Sequence, residues 1–254
     1  MVFLLIRFLP WLLPVAYFWL AEGFFTWHWS WVVVLGAVLA INLIYFLILL
    51  LRIKKSKILS LFLYAEIFSF LGLTYVALLG SSRAVTFFLL AWSLIYFFYL
   101  EAVFHYFYQT KKTELIDLKH IVTYSNVLLL FLSTLCLWNF YIFLAMPAIW
   151  IALVILVVAW QAVFCSILLN GIDWKNSFIY ASVIAWCLAQ IVVALAFWPN
   201  SIYIIALMVA LFYYIFSGLA VLHIQKKLNL KYIWQYAIFA GLVFGLVLIT
   251  AKWF

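Results

Sequence analysis

The chain has 254 residues, of which 72% are hydrophobic and 8% charged, and it carries a formal net charge of +8. Soluble domains contain about 45–50% apolar and ~25% charged residues, so this composition excludes a soluble fold and indicates a chain that lies in lipid. The longest polar gap, residues 109–120, is too short for a soluble domain. We therefore predict an all-α, polytopic transmembrane bundle that forms one integral-membrane domain over residues 1–254.

A transmembrane helix needs about 20 mostly apolar residues, and nine runs of the sequence meet that length. The first run contains Pro10 and Pro14, each of which removes a backbone donor, so we expect it to bend. Its flanks are weak, and the turn expected at 139–142 is the next weakest boundary. Eight helices, with one of these segments re-entrant or interfacial, is the alternative. The nine predicted runs are 3–21, 29–51, 58–79, 84–108, 121–138, 143–169, 178–198, 202–224 and 232–251.

The positive charges alternate between the gaps that separate these runs. Cytoplasmic loops of membrane proteins carry an excess of Lys and Arg, so the alternation predicts a cytoplasmic N-terminus and an external C-terminus. Dispersed basic residues at helix ends suit anionic lipid headgroups and not a nucleic acid. Short loops favour the cytoplasmic (inner) membrane of a prokaryote, and an organellar or endoplasmic-reticulum membrane is the alternative. The twelve basic residues on the predicted cytoplasmic side are Arg7, Arg52, Lys54, Lys55, Lys57, Lys111, Lys112, Lys119, Lys175, Lys226, Lys227 and Lys231, and Arg83 and Lys252 lie on the other side.

Two carboxylates lie well inside apolar runs, Glu66 in the third and Glu101 in the fourth. An ionisable group inside a membrane costs about 2.5–3.5 kcal/mol on insertion scales, and it usually marks a pathway or a site. At 1.5 Å per residue, Glu66 lies ~12 Å and Glu101 ~10 Å from the cytoplasmic helix ends. We expect them within about one turn of the same depth. His105 follows Glu101 by four residues, on the same helical face.

Further polar residues fall in the same half of the predicted membrane, among them Asn126 and Gln161. If they face inward together, they form a polar cavity that opens to the cytoplasm, in which Glu66, Glu101, His105, Asn126 and Gln161 bind a substrate or an ion. The alternative is that each makes an isolated hydrogen bond between helices, worth ~0.6 kcal/mol on average. The other members of this polar set are Asn42, Ser125, Ser217 and, nearer the middle, Gln190.

No motif predicts a metal or another cofactor. His105, His120 and His223 lie near cytoplasmic helix ends without the tight spacing of metal or haem ligands. The three cysteines lie in apolar runs and are expected to pack as small apolar groups. A phosphate-binding loop and a GxSxG nucleophile elbow are both missing from the sequence. Gly241 and Gly245 form a GxxxG, which we interpret as a helix-packing motif inside the chain in preference to a dimer face.

Three functions remain open. We favour a transporter or permease-like protein, in which the membrane-embedded carboxylates move a small polar solute or a cation. The first alternative is a non-catalytic structural or accessory subunit of a membrane assembly, which the aromatic content of 22% would suit. The second is an intramembrane enzyme that acts on a lipid-linked substrate with Glu101 and His105 as an acid–base pair. Catalytic residues are not assigned. The lipid bilayer is the expected partner, and a membrane-protein partner or a second copy of the chain is left open.

Overall fold

The computed structural model describes residues 2–27, 29–52, 57–108, 118–198 and 201–250. Within these ranges the chain forms nine α-helices, each long and apolar enough to cross a membrane. The all-α, multi-pass prediction is therefore confirmed, while the direction of insertion stays a prediction. The helices are α1 Val2–Thr26, α2 Trp31–Arg52, α3 Lys57–Ala77, α4 Ser82–Tyr108, α5 Leu118–Phe143, α6 Ala148–Leu169, α7 Trp174–Leu195, α8 Ile202–Ile224 and α9 Leu230–Thr250. The predicted cytoplasmic residues Lys54, Lys55, Lys111 and Lys112 lie outside the described residues, as does Lys252.

Short polar side chains determine where several helices begin. The first backbone N–H groups of a helix have no partner inside it, and a side-chain oxygen at the cap position can accept from one of them. Asp173 accepts from the backbone N–H of Asn176 at 3.2 Å, and so starts α7. The same role falls to Ser30, Ser81, Ser201 and Asn229 at the starts of α2, α4, α8 and α9.

Two predicted boundaries were wrong. Helix α5 continues through the turn expected at 139–142 and ends at Phe143, because Asn139 donates its amide to Leu135 O at 2.8 Å and stays inside the helix. The chain turns instead just before Pro147, where Ala145 has a φ of 49°. Helix α1 likewise runs on to Thr26, so that Glu22, expected in a loop, lies in the last turns of a helix.

The chain forms two compact units, and the first comprises residues 1–125. In it α1 packs against α2 and α4, α2 against α3, and α3 against α4, so that the four helices make a closed ring of neighbours. Aromatic side chains pack between α3 and α4. Phe68 stacks on Trp92 with centroids 4.0 Å apart, and Phe88 lies 5.4 Å from the same indole. Such offset or stacked aromatic pairs contribute about 0.5–1.5 kcal/mol beyond the area they bury.

The second unit comprises residues 126–254, in which α7 packs against α6 and α8, and α9 packs against α8. Tyr214 joins α8 to α9, with its ring 5.4 Å from Tyr236 and 5.6 Å from Phe239. The two glycines of the GxxxG do not make this contact. A Cβ built at Gly241 or Gly245 meets nothing within 4 Å among the described residues. Among the described residues the aromatic rings of Tyr214, Tyr236 and Phe239 join α8 to α9, and the packing role of the GxxxG stays a prediction.

Candidate functional site

Glu101 lies at the centre of a charged cluster in the first unit. Arg7, on α1, donates from Nη1 to Glu101 Oε1 at 2.5 Å, and His105 Nε2 lies 3.0 Å from the same oxygen. The guanidinium also lies 5.0 Å from the ring centroid of Phe104, within the range of a cation–π contact. Glu101 and His105 thus lie close together on one face of α4, as expected, and Arg7 of α1 is a further partner of Glu101.

The burial of this cluster explains why it is paired. The Glu101 side chain is 6% exposed and the Arg7 side chain 37% exposed. A buried charge needs an opposite charge or several hydrogen bonds, because solvent no longer stabilises it. Arg7 supplies that charge to Glu101 and joins α1 to α4. Glu101 Oε2 and His105 Nδ1 are buried without a hydrogen-bond partner among the described residues.

A second polar cluster surrounds Glu66, and all four helices α1–α4 contribute to it. Tyr96 of α4 donates its hydroxyl to Asn42 Oδ1, and Asn42 of α2 donates from Nδ2 to Ser69 Oγ at 3.3 Å. Tyr17 of α1 donates to the backbone oxygen of Ser69 at 3.1 Å. The amide of Asn42 also interacts with the carboxyl of Glu66. We call Tyr17, Asn42, Glu66, Ser69 and Tyr96 the Glu66 cluster.

Glu66 is the member of this cluster whose bonding is incomplete. The residue is half-buried, while its Oε1 atom is buried without a hydrogen-bond partner among the described residues. Both ion pairs that the described part of the chain forms go to Glu101, so no described cation pairs with Glu66. The remaining members are almost entirely buried and bonded to one another. The carboxyl of Glu66 is therefore the group in this cluster that can still accept a proton or a ligand.

The contacts between α3 and α4 give the relative depth of the two carboxylates. Lys57 Nζ contacts Tyr106 Oη, Tyr99 donates to Leu61 O, and Phe68 stacks on Trp92. In this antiparallel register Glu66 lies opposite a position about seven residues before Glu101, or ~10 Å along the helix axis. The offset exceeds the single turn that we expected. Glu66 and Glu101 thus occupy two neighbouring clusters at different depths.

Asn126 and Gln161 lie in the second unit, both buried. Asn126 donates from Nδ2 to the backbone oxygen of Ala162, the residue after Gln161, at 3.0 Å, while its Oδ1 is buried without a hydrogen-bond partner among the described residues. The Tyr213 hydroxyl interacts with the same amide. Glu66, Glu101 and His105 therefore belong to the first unit and Asn126 and Gln161 to the second, and a single shared cavity stays a prediction. Gln190 is exposed.

Sequence reasoning missed several residues of these clusters. Arg7 was assigned only to topology, although a lone charge inside an apolar run normally has a partner of opposite sign in another helix. Glu22 is a further carboxylate in a helix: it accepts from Thr86 Oγ1 at 3.4 Å, and its Oε2 is buried without a hydrogen-bond partner among the described residues. The tyrosines gave no signal, because many tyrosines in a chain of this composition face lipid or pack in apolar cores. The missed residues are Arg7, Tyr17, Glu22, Ser69 and Tyr96.

Within the described ranges, no group of three or more His, Cys, Asp or Glu side chains could hold a metal ion. Cys136 and Cys165 are buried and Cys187 is half-buried, and no disulfide joins these three described cysteines. The chemistry that the clusters can perform with their own groups is the binding and release of protons or small polar ligands at a carboxylate.

One protein family matches the chain. Its model, described as "Protein of unknown function (DUF5656)", matches residues 65–250, which begin in α3 and include all helices from α4 to α9. No curated protein and no solved structure matches the chain. The chain belongs to the DUF5656 family, and it is a multi-pass membrane protein.

Proposed function

We propose that this member of the DUF5656 family moves a small solute or an ion across the cytoplasmic membrane, with Glu66 as its ion-binding carboxylate. The observation that carries the proposal is the unpartnered, buried Oε1 of Glu66 inside a membrane-spanning helix. Polar groups inside membranes are expensive, and those with a purely structural role are expected to be bonded within the protein. Glu66 departs from that expectation at the place where all four helices of its unit contribute polar groups.

Several other polar residues of the first unit have hydrogen-bond partners inside the protein, whereas Glu66 Oε1 has none among the described residues. Thr26 and Thr74 bond to carbonyl oxygens of their own helices, which satisfies their hydroxyls without any ligand. Glu101 is held by Arg7 and His105, so its charge is already compensated. In the proposal the ion pair of Glu101 with Arg7 stabilises the packing of α1 against α4, and Glu66 binds and releases the ion. Asn126 and Gln161 are proposed as solute-binding residues of the second unit.

Reconstitution in liposomes tests the proposal. The purified chain is placed in proteoliposomes, and ion movement is followed with a trapped pH dye after a pH jump and by the current after a jump in sodium or potassium. We expect a protein-dependent signal that Glu66→Gln abolishes while the variant keeps its elution volume and helical circular dichroism. Glu22→Gln is the matched control: it removes another helix carboxylate, which lies in the last turns of α1 and outside the Glu66 cluster, and it should leave the signal intact.

Two outcomes of the liposome assay would contradict the proposal. An ion movement that is the same in the Glu66→Gln, Glu101→Gln double variant as in the unmodified chain would show that the membrane carboxylates have no part in it. The absence of any protein-dependent movement for protons, sodium and potassium would likewise count against Glu66 as an ion site in transport.

A second candidate is acid–base chemistry on a lipid-linked substrate. It is favoured by the 3.0 Å contact between His105 Nε2 and Glu101, with the other ring nitrogen unpartnered among the described residues. Such a contact can orient an imidazole for proton transfer. The test is the lipid composition of cells that express the chain. A changed headgroup profile that disappears in His105→Ala would support an enzyme, and an unchanged profile would leave transport as the better proposal.

A further inference from the structure

We infer that the ion exchanged at Glu66 is a proton and not a metal cation. The inference rests on the proposed function, because it identifies the ion that the same site would bind. It depends on how many oxygen atoms of the Glu66 cluster remain available to a ligand. A proton needs one acceptor oxygen, whereas a metal cation is held by several oxygens at once.

Each of the other acceptors of the cluster already receives a hydrogen bond from the protein. Asn42 Oδ1 accepts from Tyr96, Ser69 Oγ accepts from Asn42, and the backbone oxygen of Ser69 accepts from Tyr17. Each donor comes from a different helix from its acceptor, so the packing of α1 to α4 holds these bonds in place. The buried oxygen that lacks a partner is Oε1 of Glu66.

A metal cation would find a single charged ligand in this cluster. Mg²⁺ takes six ligands near 2.0–2.1 Å, and Ca²⁺ takes six to eight oxygens. Sodium and potassium also bind through several oxygens at once. Asn42 Oδ1 and Ser69 Oγ each keep one lone pair, but the Asn42 amide that interacts with Glu66 brings a donor N–H and not a further oxygen to the carboxyl. Among the described residues, no group of three or more His, Cys, Asp or Glu side chains adds negative charge there.

A proton satisfies the same site without rearrangement. When a proton from water binds one carboxylate oxygen, Glu66 becomes a neutral acid, and the network among Asn42, Ser69 and Tyr96 stays bonded. Neutralisation also removes an anion that no described cation compensates, since the described ion pairs both involve Glu101. Release of the proton restores the carboxylate. The two states differ by one proton and by no broken hydrogen bond.

Carbodiimide labelling measures the occupancy of Glu66 directly. A lipid-soluble carbodiimide reacts with protonated carboxyl groups in apolar surroundings, and the adduct is located by peptide mass spectrometry. The full chain in lipid nanodiscs is labelled between about pH 5 and pH 9 in choline chloride, and then with sodium, potassium or magnesium chloride at the same ionic strength. The labelled peptides separate Glu66 from Glu101 in one sample, and Glu66→Gln identifies the Glu66 signal.

We expect labelling of Glu66 to fall about tenfold for each pH unit above its midpoint, as for any single titrating group. Replacing choline by a metal cation should change it less than about twofold, whereas a competing cation would shift the midpoint by up to ~1 unit per tenfold rise in concentration. Dose-dependent protection of Glu66 by one of the cations would overturn the proton assignment and leave Glu66 as an ion site. Labelling that is absent at every pH, or that responds neither to pH nor to cations, would overturn the assignment together with Glu66 as an exchanging site.

Discussion

The ion pair between Arg7 and Glu101 makes a quantitative prediction for the stability of the first unit. Two unit charges about 4 Å apart interact by about 4 kcal/mol at the effective dielectric constant of ~20 found near protein surfaces. Breaking a fully buried pair costs about 3–5 kcal/mol, because one charge is left uncompensated. The Arg7 side chain is 37% exposed, so solvent screening lowers this value. We expect Arg7→Met to cost about 1–3 kcal/mol, with His105 as the remaining basic neighbour of Glu101.

The assay is thermal unfolding in mild detergent, followed by tryptophan fluorescence. A cost of 1 kcal/mol shifts Tm by about 2–4 °C in chains of this size, so Arg7→Met should lower it by about 2–12 °C. Glu101→Gln added to Arg7→Met removes the orphaned charge and should restore part of the loss. Lys57→Met is the control: it removes a basic residue at the same end of the unit, where Lys57 contacts the hydroxyl of Tyr106. Its effect should stay within about 0.5 kcal/mol, as for other surface changes.

The double-mutant cycle decides whether the reasoning is right. If Arg7 and Glu101 interact as the structure has it, the two single substitutions are non-additive by at least about 1 kcal/mol. Additivity within about 0.5 kcal/mol would show that the two side chains do not stabilise each other. The 2.5 Å contact would then have no energetic role.

Three further predictions concern other parts of the chain. Gly72→Ala places a Cβ 2.6 Å from the Tyr17 hydroxyl and against the Trp92 indole, so it should lower the free energy of unfolding by about 1–3 kcal/mol. Gly36→Ala is its control, because a Cβ there meets nothing within 4 Å among the described residues. In thermal unfolding it should be neutral or stabilising by up to ~1 kcal/mol. Hydrogen bonds from Asn176 hold the pKa of Asp173 below its usual range. The stabilisation by this cap is present above the unfolded-state pKa of about 4 and is lost as the pH falls through the lower folded-state value. Asp173→Ser keeps the cap without a titrating group and should flatten the fall of Tm in acid, and an unchanged acid slope would contradict the assignment. Asn126→Leu removes one interhelical bond and should cost less than about 1 kcal/mol; if Asn126 contacts solute, the variant loses ion-coupled uptake in proteoliposomes while it stays folded.

The architecture could be predicted because its signals are long and repeated. Each span contributes about 20 apolar residues, so an error at one boundary does not change the number of helices. The boundaries themselves depend on single residues. Asn139 looked like a turn residue, yet its amide finds a carbonyl of its own helix, and the turn falls before Pro147 instead. Glu22 was misplaced for the same reason, since a polar residue near a helix end fits a loop and a last turn equally well.

The candidate site could be predicted only in part. Glu66, Glu101 and His105 stand out because charge inside an apolar run is costly, and that signal needs no structure. The pairing of Arg7 with Glu101 is a contact between residues 94 positions apart. From the sequence, this contact could be inferred only from the rule that a charge inside a membrane usually pairs with an opposite charge. Whether Asn42, Ser69 and Tyr96 can bond to one another depends on how each helix is rotated about its own axis. These helices are apolar on all sides, so their sequences do not indicate which face points inward. Depth was misjudged because it depends on the register of α3 against α4.

The separation of Arg7 and Glu101 along the chain has a consequence for how the protein enters the membrane. At synthesis rates of about 5–20 residues per second, the chain takes roughly 5–20 s to extend the 94 positions from Arg7 to Glu101. During that interval α1 carries a guanidinium, and its partner Glu101 has not yet been made. The long Arg side chain can reach the headgroups in the meantime, so we expect α1 to stay near the interface. Insertion of α4 then brings Glu101 to Arg7, and we expect α1 to reach its final depth only after that.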